Sequence, residues 1–222
     1  GWEDLKNRLD SDRRCFAYFH PRMPDEPLIF VEVALVNGMA ANVQALLDTD
    51  APASDPATAD TAIFYSISNA QKGLAGISFG NFLIKNVVQH LSGEFPNLKT
   101  YATLSPIPGF RRWLDEIMAE GEPKLFSAEE RKALNAASGR KGGAKGSLLA
   151  ALDSPTWIKD QKTVAALQGP LTRLAARYLA KEKGRGRRAR DPVAHFHLSN
   201  GARLERLNWL GDTSDKGLAQ SA

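Results

Sequence analysis

Residues 61–104 read TAIFYSISNAQKGLAGISFGNFLIKNVVQHLSGEFPNLKTYATL, and this stretch decides the fold. The opening TAIFYSIS (61–68) is rich in β-branched and aromatic residues and predicts a strand. NAQKGLAGISFG (69–80) is a glycine-rich turn, and NFLIKNVVQHL (81–91) carries apolar residues at helical spacing. LKTYATL (98–104) predicts a second strand, which ends in SPIPGF (105–110). A strand that opens through closely spaced glycines into a helix N-terminus makes an anion site. The first N–H groups of the helix are unpaired there, and its dipole favours negative charge. Pro106 and Pro108 stiffen the exit from the second strand and would place Ser105 beside that site. The pattern suggests a small acyl or phosphate ligand held by backbone.

The chain has 222 residues, 43% hydrophobic and 24% charged, which is ordinary globular composition with enough apolar residues for a core. Its longest apolar run, LIFVEVAL (28–35), is interrupted by Glu32 and is far shorter than a membrane span needs. One cysteine, Cys15, excludes a disulfide or a multi-cysteine zinc site within this sequence. The expected compartment is reducing, of cytoplasmic type. Net charge is +4, and the excess is local: KEKGRGRRAR (181–190) holds six Lys or Arg in ten. That run reads as a solvated loop or a grip on a phosphorylated ligand. Without a broad basic face or a recognised motif, nucleic acid is not an expected partner.

Outside the central block, residues 1–15 look polar and helix-like, and HPRMPDEP (20–27) is turn-rich. LIFVEVALV (28–36) predicts a strand and MAANVQALLD (39–48) a helix. Residues 49–60 read as a surface loop. Helices are expected at 111–120, at 127–137 behind the capping box Ser127…Glu130, and at 147–154. Residues 138–147 are expected to be mobile. An amphipathic stretch from Pro155 to Lys183 should be divided or kinked at Pro170. DPVAHFHLSNGARLERLNWLGD (191–212) reads as two strands joined at Asn200-Gly201. The expected class is α+β, with strands in the first third and at the end, and a mainly helical insertion at 111–183 within a single domain.

His197 falls at a predicted strand end, with His195 on the same face, and is a candidate for proton transfer near neutral pH. No third cluster of ligands supports a metal at these two histidines, so none is expected. Ser105 lies outside any G-x-S-x-G elbow, which argues against a serine hydrolase. Gly73, Gly76 and Gly80 match neither the P-loop nor the dinucleotide fingerprint. Gln71, Gly73 and Gly76 are loosely similar to the pyrophosphate loop of acetyltransferase-type folds.

The runs HPRMPDEPLIFVEVAL, AIFYSISNAQKGLAGISFGNFLIK, SPIPGF and DPVAHFHLSNGARLERLNWLGD resemble the catalytic domain of the malonyl-CoA decarboxylase family over roughly residues 20–214. The resemblance implies an acetyltransferase (GNAT)-like mixed sheet flanked by helices. It implies decarboxylation of malonyl-CoA to acetyl-CoA and carbon dioxide, with coenzyme A as part of the substrate and no other cofactor. The family's serine falls on Ser105 and its histidine on His197. Its coenzyme A loop falls on Ala75, Gly76, Ile77, Ser78, Phe79, Gly80 and Asn81. Some members carry an acid where this chain has Ser78, so no charge-dependent role is given to Ser78. His197 is expected as the general acid, with Ser105 as its hydrogen-bonding partner, and Arg187 and Arg188 could meet the 3′-phosphate.

The family's helical N-terminal domain, absent from this sequence, is expected to make the longer protein a homo-oligomer. Two other functions keep the same coenzyme A loop: an acyl-CoA-dependent acyltransferase, and a coenzyme A-binding module without turnover.

Overall fold

The computed structural model describes residues 9–48, 50–71, 73, 80–121, 125–138, 143–154 and 156–221. The chain divides into two compact units, Gly1–Ser105 and Pro106–Ala222.

The first unit is built on a four-stranded mixed sheet in the order β1-β2-β3-β4. β1 (Arg13–His20) and β2 (Met23–Val36) form an antiparallel hairpin, and β3 (Thr61–Asn69) adds antiparallel to β2. After β3 the chain enters helix α2 (Gly80–Glu94) and returns as β4 (Thr100–Thr103), parallel to β3. β2 is central, so its alternate residues serve two cores. Ile29, Val31, Val33 and Leu35 pack with Ala62, Phe64, Leu83, Val87 and Leu91, which covers one face with α2. Ala34 packs on the other face with Ile63 and Leu46, the last residue of the one-turn helix α1 (Val43–Leu46).

The second unit is helical. α3 (Phe110–Glu120) buries Phe110, Trp113, Leu114 and Ile117, the i, i+3, i+4, i+7 stripe of an amphipathic helix. This stripe shares a core with Leu167, Leu171, Leu174 and Tyr178 of α6 (Gln161–Lys181). Fully burying each such leucine stabilises by about 1.5–3 kcal/mol. Gly121, at φ 72, ends α3 in the left-handed conformation that glycine tolerates. α4 (Ala128–Ser138) and α5 (Gly143–Leu152) complete the bundle. α7 (Pro192–Ser199) and α8 (Asp215–Ser221) follow α6.

The expected class, α+β, stands, as do the strands at 28–36 and 61–68 and the helix at 127–137. The capping box forms: Glu130 N–H donates to Ser127 Oγ at 3.1 Å, and Ser127 N–H donates to Glu130 Oε2 at 2.8 Å. Several local expectations are corrected. Residues 13–15 belong to β1 rather than a helix, because Arg13–Tyr18 find cross-strand partners on β2. The turn-rich entry contracts to Pro21-Arg22, and β2 begins at Met23; Pro27 sits at a register shift, where a missing N–H is tolerated. The helix at 39–48 is one turn, capped by Asn42. α5 begins at Gly143, inside the stretch expected to be mobile.

Pro170 does not divide α6, which runs unbroken from Gln161 to Lys181. The residue before it is Gly169, which has no Cβ to clash with the proline ring. The predicted strands at 191–212 are absent. Residues 192–199 are a helix and 202–208 are irregular. Asp191-Pro192 is a helix start, with an N-cap aspartate and proline at the first helical position. Asn200 is the C-cap and Gly201 follows at φ 86, so the Asn-Gly pair ends a helix here and does not turn a hairpin.

Candidate functional site

In the first unit the candidate site is the carboxyl edge of β3 and β4. The two strands are parallel, so their carboxyl ends and the start of α2 lie at one edge, where open α/β sheets bind ligands. Pairing stops at Phe64↔Thr103, with Leu104 N–H donating to the Phe64 carbonyl at 3.0 Å. β3 continues past that point to Asn69, paired with β2. A β-bulge marks the divergence: Glu32 opposes Ser66 and Val33 opposes Phe64, which leaves Tyr65 as the extra residue. Bulges of this kind re-aim side chains and cluster beside active sites.

Ser105 follows directly and is exposed. Gln71 ties the entry of the glycine-rich turn back to β2, its Nε2 donating to the Pro27 carbonyl at 3.3 Å. Tyr18 of β1 donates its hydroxyl to the Leu83 carbonyl at 2.9 Å, which pins the first turn of α2. Burial raises the Tyr18 pKa above 10.0, so the phenol stays a donor. Gly80 and Asn81, the last two residues of the expected coenzyme A loop, are the first two of α2. Ala75, Gly76, Ile77, Ser78 and Phe79 lie outside the described residues.

In the second unit, His197 stands in the last turn of α7 rather than at a strand end. Its carbonyl accepts from the N–H groups of Asn200 and Ala202, each at 3.1 Å. The imidazole is half-buried, edge-on to Phe196 at 5.0 Å between ring centroids. Burial lowers its pKa from 6.5 by disfavouring the charged form. His195 and His197 are two residues apart on a helix, so they point to different sides. Among the described residues no group of three His, Cys, Asp or Glu is placed to hold a metal ion.

The basic run forms a loop with one turn of 3₁₀ helix at Arg185–Arg187 and a bridge between Lys183 and Ala189. Arg190 pairs with Glu116, while Arg187 and Arg188 are exposed.

Sequence reading missed a polar cluster. Asp191 is fully buried (0% exposed). Its Oδ1 accepts from the N–H groups of Val193 and Ala194, each at 3.0 Å, and its Oδ2 accepts from Gly109 N–H at 3.1 Å. The Tyr178 hydroxyl reaches the same Oδ2 at 3.5 Å. Burial, reinforced by the Asp191 charge, pushes the Tyr178 pKa up to about 12, which keeps the phenol protonated. The Asp-Pro dipeptide was the available signal for the helix start, and the partnership with Gly109 spans 82 residues of sequence.

Ser105 closes the first unit and His197 belongs to the second. No helix among the described residues is long and apolar enough to cross a membrane.

Comparison with known proteins gives one answer throughout. The sequence profile of the malonyl-CoA decarboxylase C-terminal domain matches residues 1–222. Mitochondrial malonyl-CoA decarboxylase of Anser anser anser is 42% identical over 227 residues, covering 99% of this chain and 44% of that protein. The Mus musculus protein of the same name is 43% identical over 227 residues, covering 99% and 46%. Among solved structures, malonyl-CoA decarboxylase from Rhodopseudomonas palustris superposes with a TM-score of 0.83 at 49% identity, covering 100% of this chain and 47% of that one. The enzyme from Agrobacterium vitis gives 0.85 at 48% identity, covering 99% and 51%. The chain spans about half the length of these relatives.

Proposed function

Because the chain belongs to the malonyl-CoA decarboxylase family, we propose that it forms the catalytic part of an enzyme converting malonyl-CoA to acetyl-CoA and carbon dioxide. The observation that carries this reading is the β3–α2–β4 unit, whose carboxyl edge collects the bulge at Tyr65, the start of α2 and the exit to Ser105. The divergence of β3 from β4 also supports an acetyltransferase-like sheet.

In this reading the pyrophosphate of coenzyme A sits at the start of α2, where the first N–H groups of a helix and its dipole favour an anion, with Ala75 to Asn81 as the proposed contacts. Decarboxylation breaks the bond between the carboxylate carbon and the α-carbon. The electron pair moves onto the thioester as an enolate, whose oxygen backbone N–H donors would stabilise. His197 then delivers a proton to the α-carbon and recovers one from solvent. Burial makes its imidazolium a stronger acid, at the expense of its population at neutral pH. Ser105 supplies a hydroxyl to orient the malonyl group. The scheme uses no metal or redox group. Arg187 and Arg188 are the proposed contacts for the 3′-phosphate. Self-association of the longer protein and a cytoplasmic address belong to the same proposal; the two animal relatives are mitochondrial by name.

The test is release of acetyl-CoA and carbon dioxide from malonyl-CoA, measured beside His197→Ala. Release that the substitution abolishes supports the reading. An acylated acceptor in place of free acetyl-CoA assigns an acyltransferase, and tight binding without turnover assigns a binding module.

A further inference from the structure

We propose that Asp191 is the positioning residue for His197: its two carboxylate oxygens fasten the start of the His197 helix to the backbone at Gly109. This rests on the role given to His197 above.

The argument begins with what holds α7 in place. The helix has eight residues and buries none of them. A helix this short is marginal on its own in water, so tertiary contacts must fix it. Among its described side chains, Ala194 packs, partly buried, against the core of the second unit. The strong anchor is at its N-terminal end. Asp191 Oδ1 takes the Val193 and Ala194 N–H groups, satisfying two donors that the helix cannot satisfy itself.

The second oxygen does something an ordinary cap does not. Oδ2 accepts the Gly109 N–H, at the residue that precedes α3 and follows the Pro106–Pro108 segment. One buried carboxylate therefore joins two elements through charge-assisted bonds, which are about twice as strong as neutral ones. The surroundings are built around this join. A Cβ on Gly109 would overlap the Tyr178 hydroxyl and lie 3.3 Å from Asp191 Oδ2, so the backbone approaches closely only because residue 109 is glycine. Tyr178 belongs to the fully buried core of α6, which makes this a rigid seat. His197 lies six residues on, along a helix whose orientation is set at this point. Loss of the clamp would displace the imidazole without removing it, and an error of about 1 Å in placing a reacting group can cost roughly 10²-fold in rate.

Asp191→Ser tests the idea, because serine can still cap α7 through one oxygen but cannot also reach Gly109. The expected result is a kcat lower by roughly 10–100-fold with KM for malonyl-CoA within about twofold, since positioning acts on the reacting step. In the His197→Ala background the same substitution should change kcat by less than about twofold, because nothing is left to position. An unchanged kcat overturns the proposal, and so does an equal loss in both backgrounds, which would mark a merely structural role. Amide hydrogen exchange reads the clamp without activity. Asp191→Ala should raise exchange at Val193–Leu198 by about tenfold or more, while Trp113 and Leu174 keep their protection. Unchanged exchange there overturns the clamp whatever the enzyme does. Absence of decarboxylation by the unaltered protein overturns the proposed function, and exchange then still decides the clamp.

Discussion

The hydroxyl of Tyr178 fills the space that a side chain at Gly109 would need. Gly109 has an ordinary φ of −93°, so space, not backbone conformation, is what requires glycine. Gly109→Ala is expected to destabilise the protein by about 1–3 kcal/mol, the usual cost of overpacking. Combining it with Tyr178→Phe should recover part of that loss, because the clashing oxygen is gone. Denaturation midpoints of the two single variants and the double variant check this, and strictly additive losses would sink it.

His197→Ala should lower kcat by roughly 10²–10⁴ if the imidazole is the general acid. The pH dependence has a definite sign. The acid must be protonated, so kcat/KM should fall as pH rises through a value below 6.5, and the substitution should erase that limb. Stability runs the other way. The unfolded state binds the proton more readily, so the group costs stability as pH falls from about 6.5 toward its lowered folded value. A pH–rate profile without that limb removes His197 from the proton step.

Ser105→Ala should lower kcat as well. If Ser105 and His197 act as one unit, the double substitution should cost little more than the worse single one. Fully multiplicative losses would assign them to separate steps.

Glu130 closes the capping box of α4 and also holds Arg173 through both oxygens, at 2.9 and 2.8 Å. The Arg173 guanidinium is the main reason its pKa lies below 4.5. The resulting stability is present above 4.5 and is lost as pH falls through the lowered value. Glu130→Gln should therefore flatten the acid limb of a stability–pH curve. Ser127→Ala, which removes the other half of the box, should cost about 0.5–2 kcal/mol. Thermal melts from pH 3 to 7 measure both, and a curve unchanged by Glu130→Gln counts against the linkage.

Replacing Arg187 and Arg188 together by Gln should raise KM for malonyl-CoA while kcat stays within about twofold, if they meet the 3′-phosphate. Unchanged KM returns the loop to a solvated role.

The sheet was legible because Val31, Val33, Ala62 and Phe64 lie in runs whose composition and period fit only buried strands. The capping box at Ser127 was legible because both partners lie within one turn of chain. What failed was at 191–212, where Val193 to Leu198 offered too few residues to separate a period of 2 from one of 3.6. The deciding contacts of that segment are non-local: Asp191 finds Gly109 and Tyr178, and no local pattern announces either. Local pattern offered Ser105 beside an anion site and His197 as a candidate for proton transfer, and only whole blocks resembling one family joined the two, with His197 as the general acid.

β1 has one further consequence, for what the protein does in company with copies of itself. Among the described residues β1 pairs with β2 alone, so its other side is a sheet edge. An open edge is a template onto which a stray strand can add, the first step toward aggregates. The register shifts at Tyr18/Phe19 and Phe19/His20 break the regular ladder near the hairpin. The regular part of that edge runs from Arg13 to Tyr18, and there the Arg13 guanidinium is drawn to Asp12 and that of Arg14 to Glu94, so neither stands as a bare charge against an incoming strand.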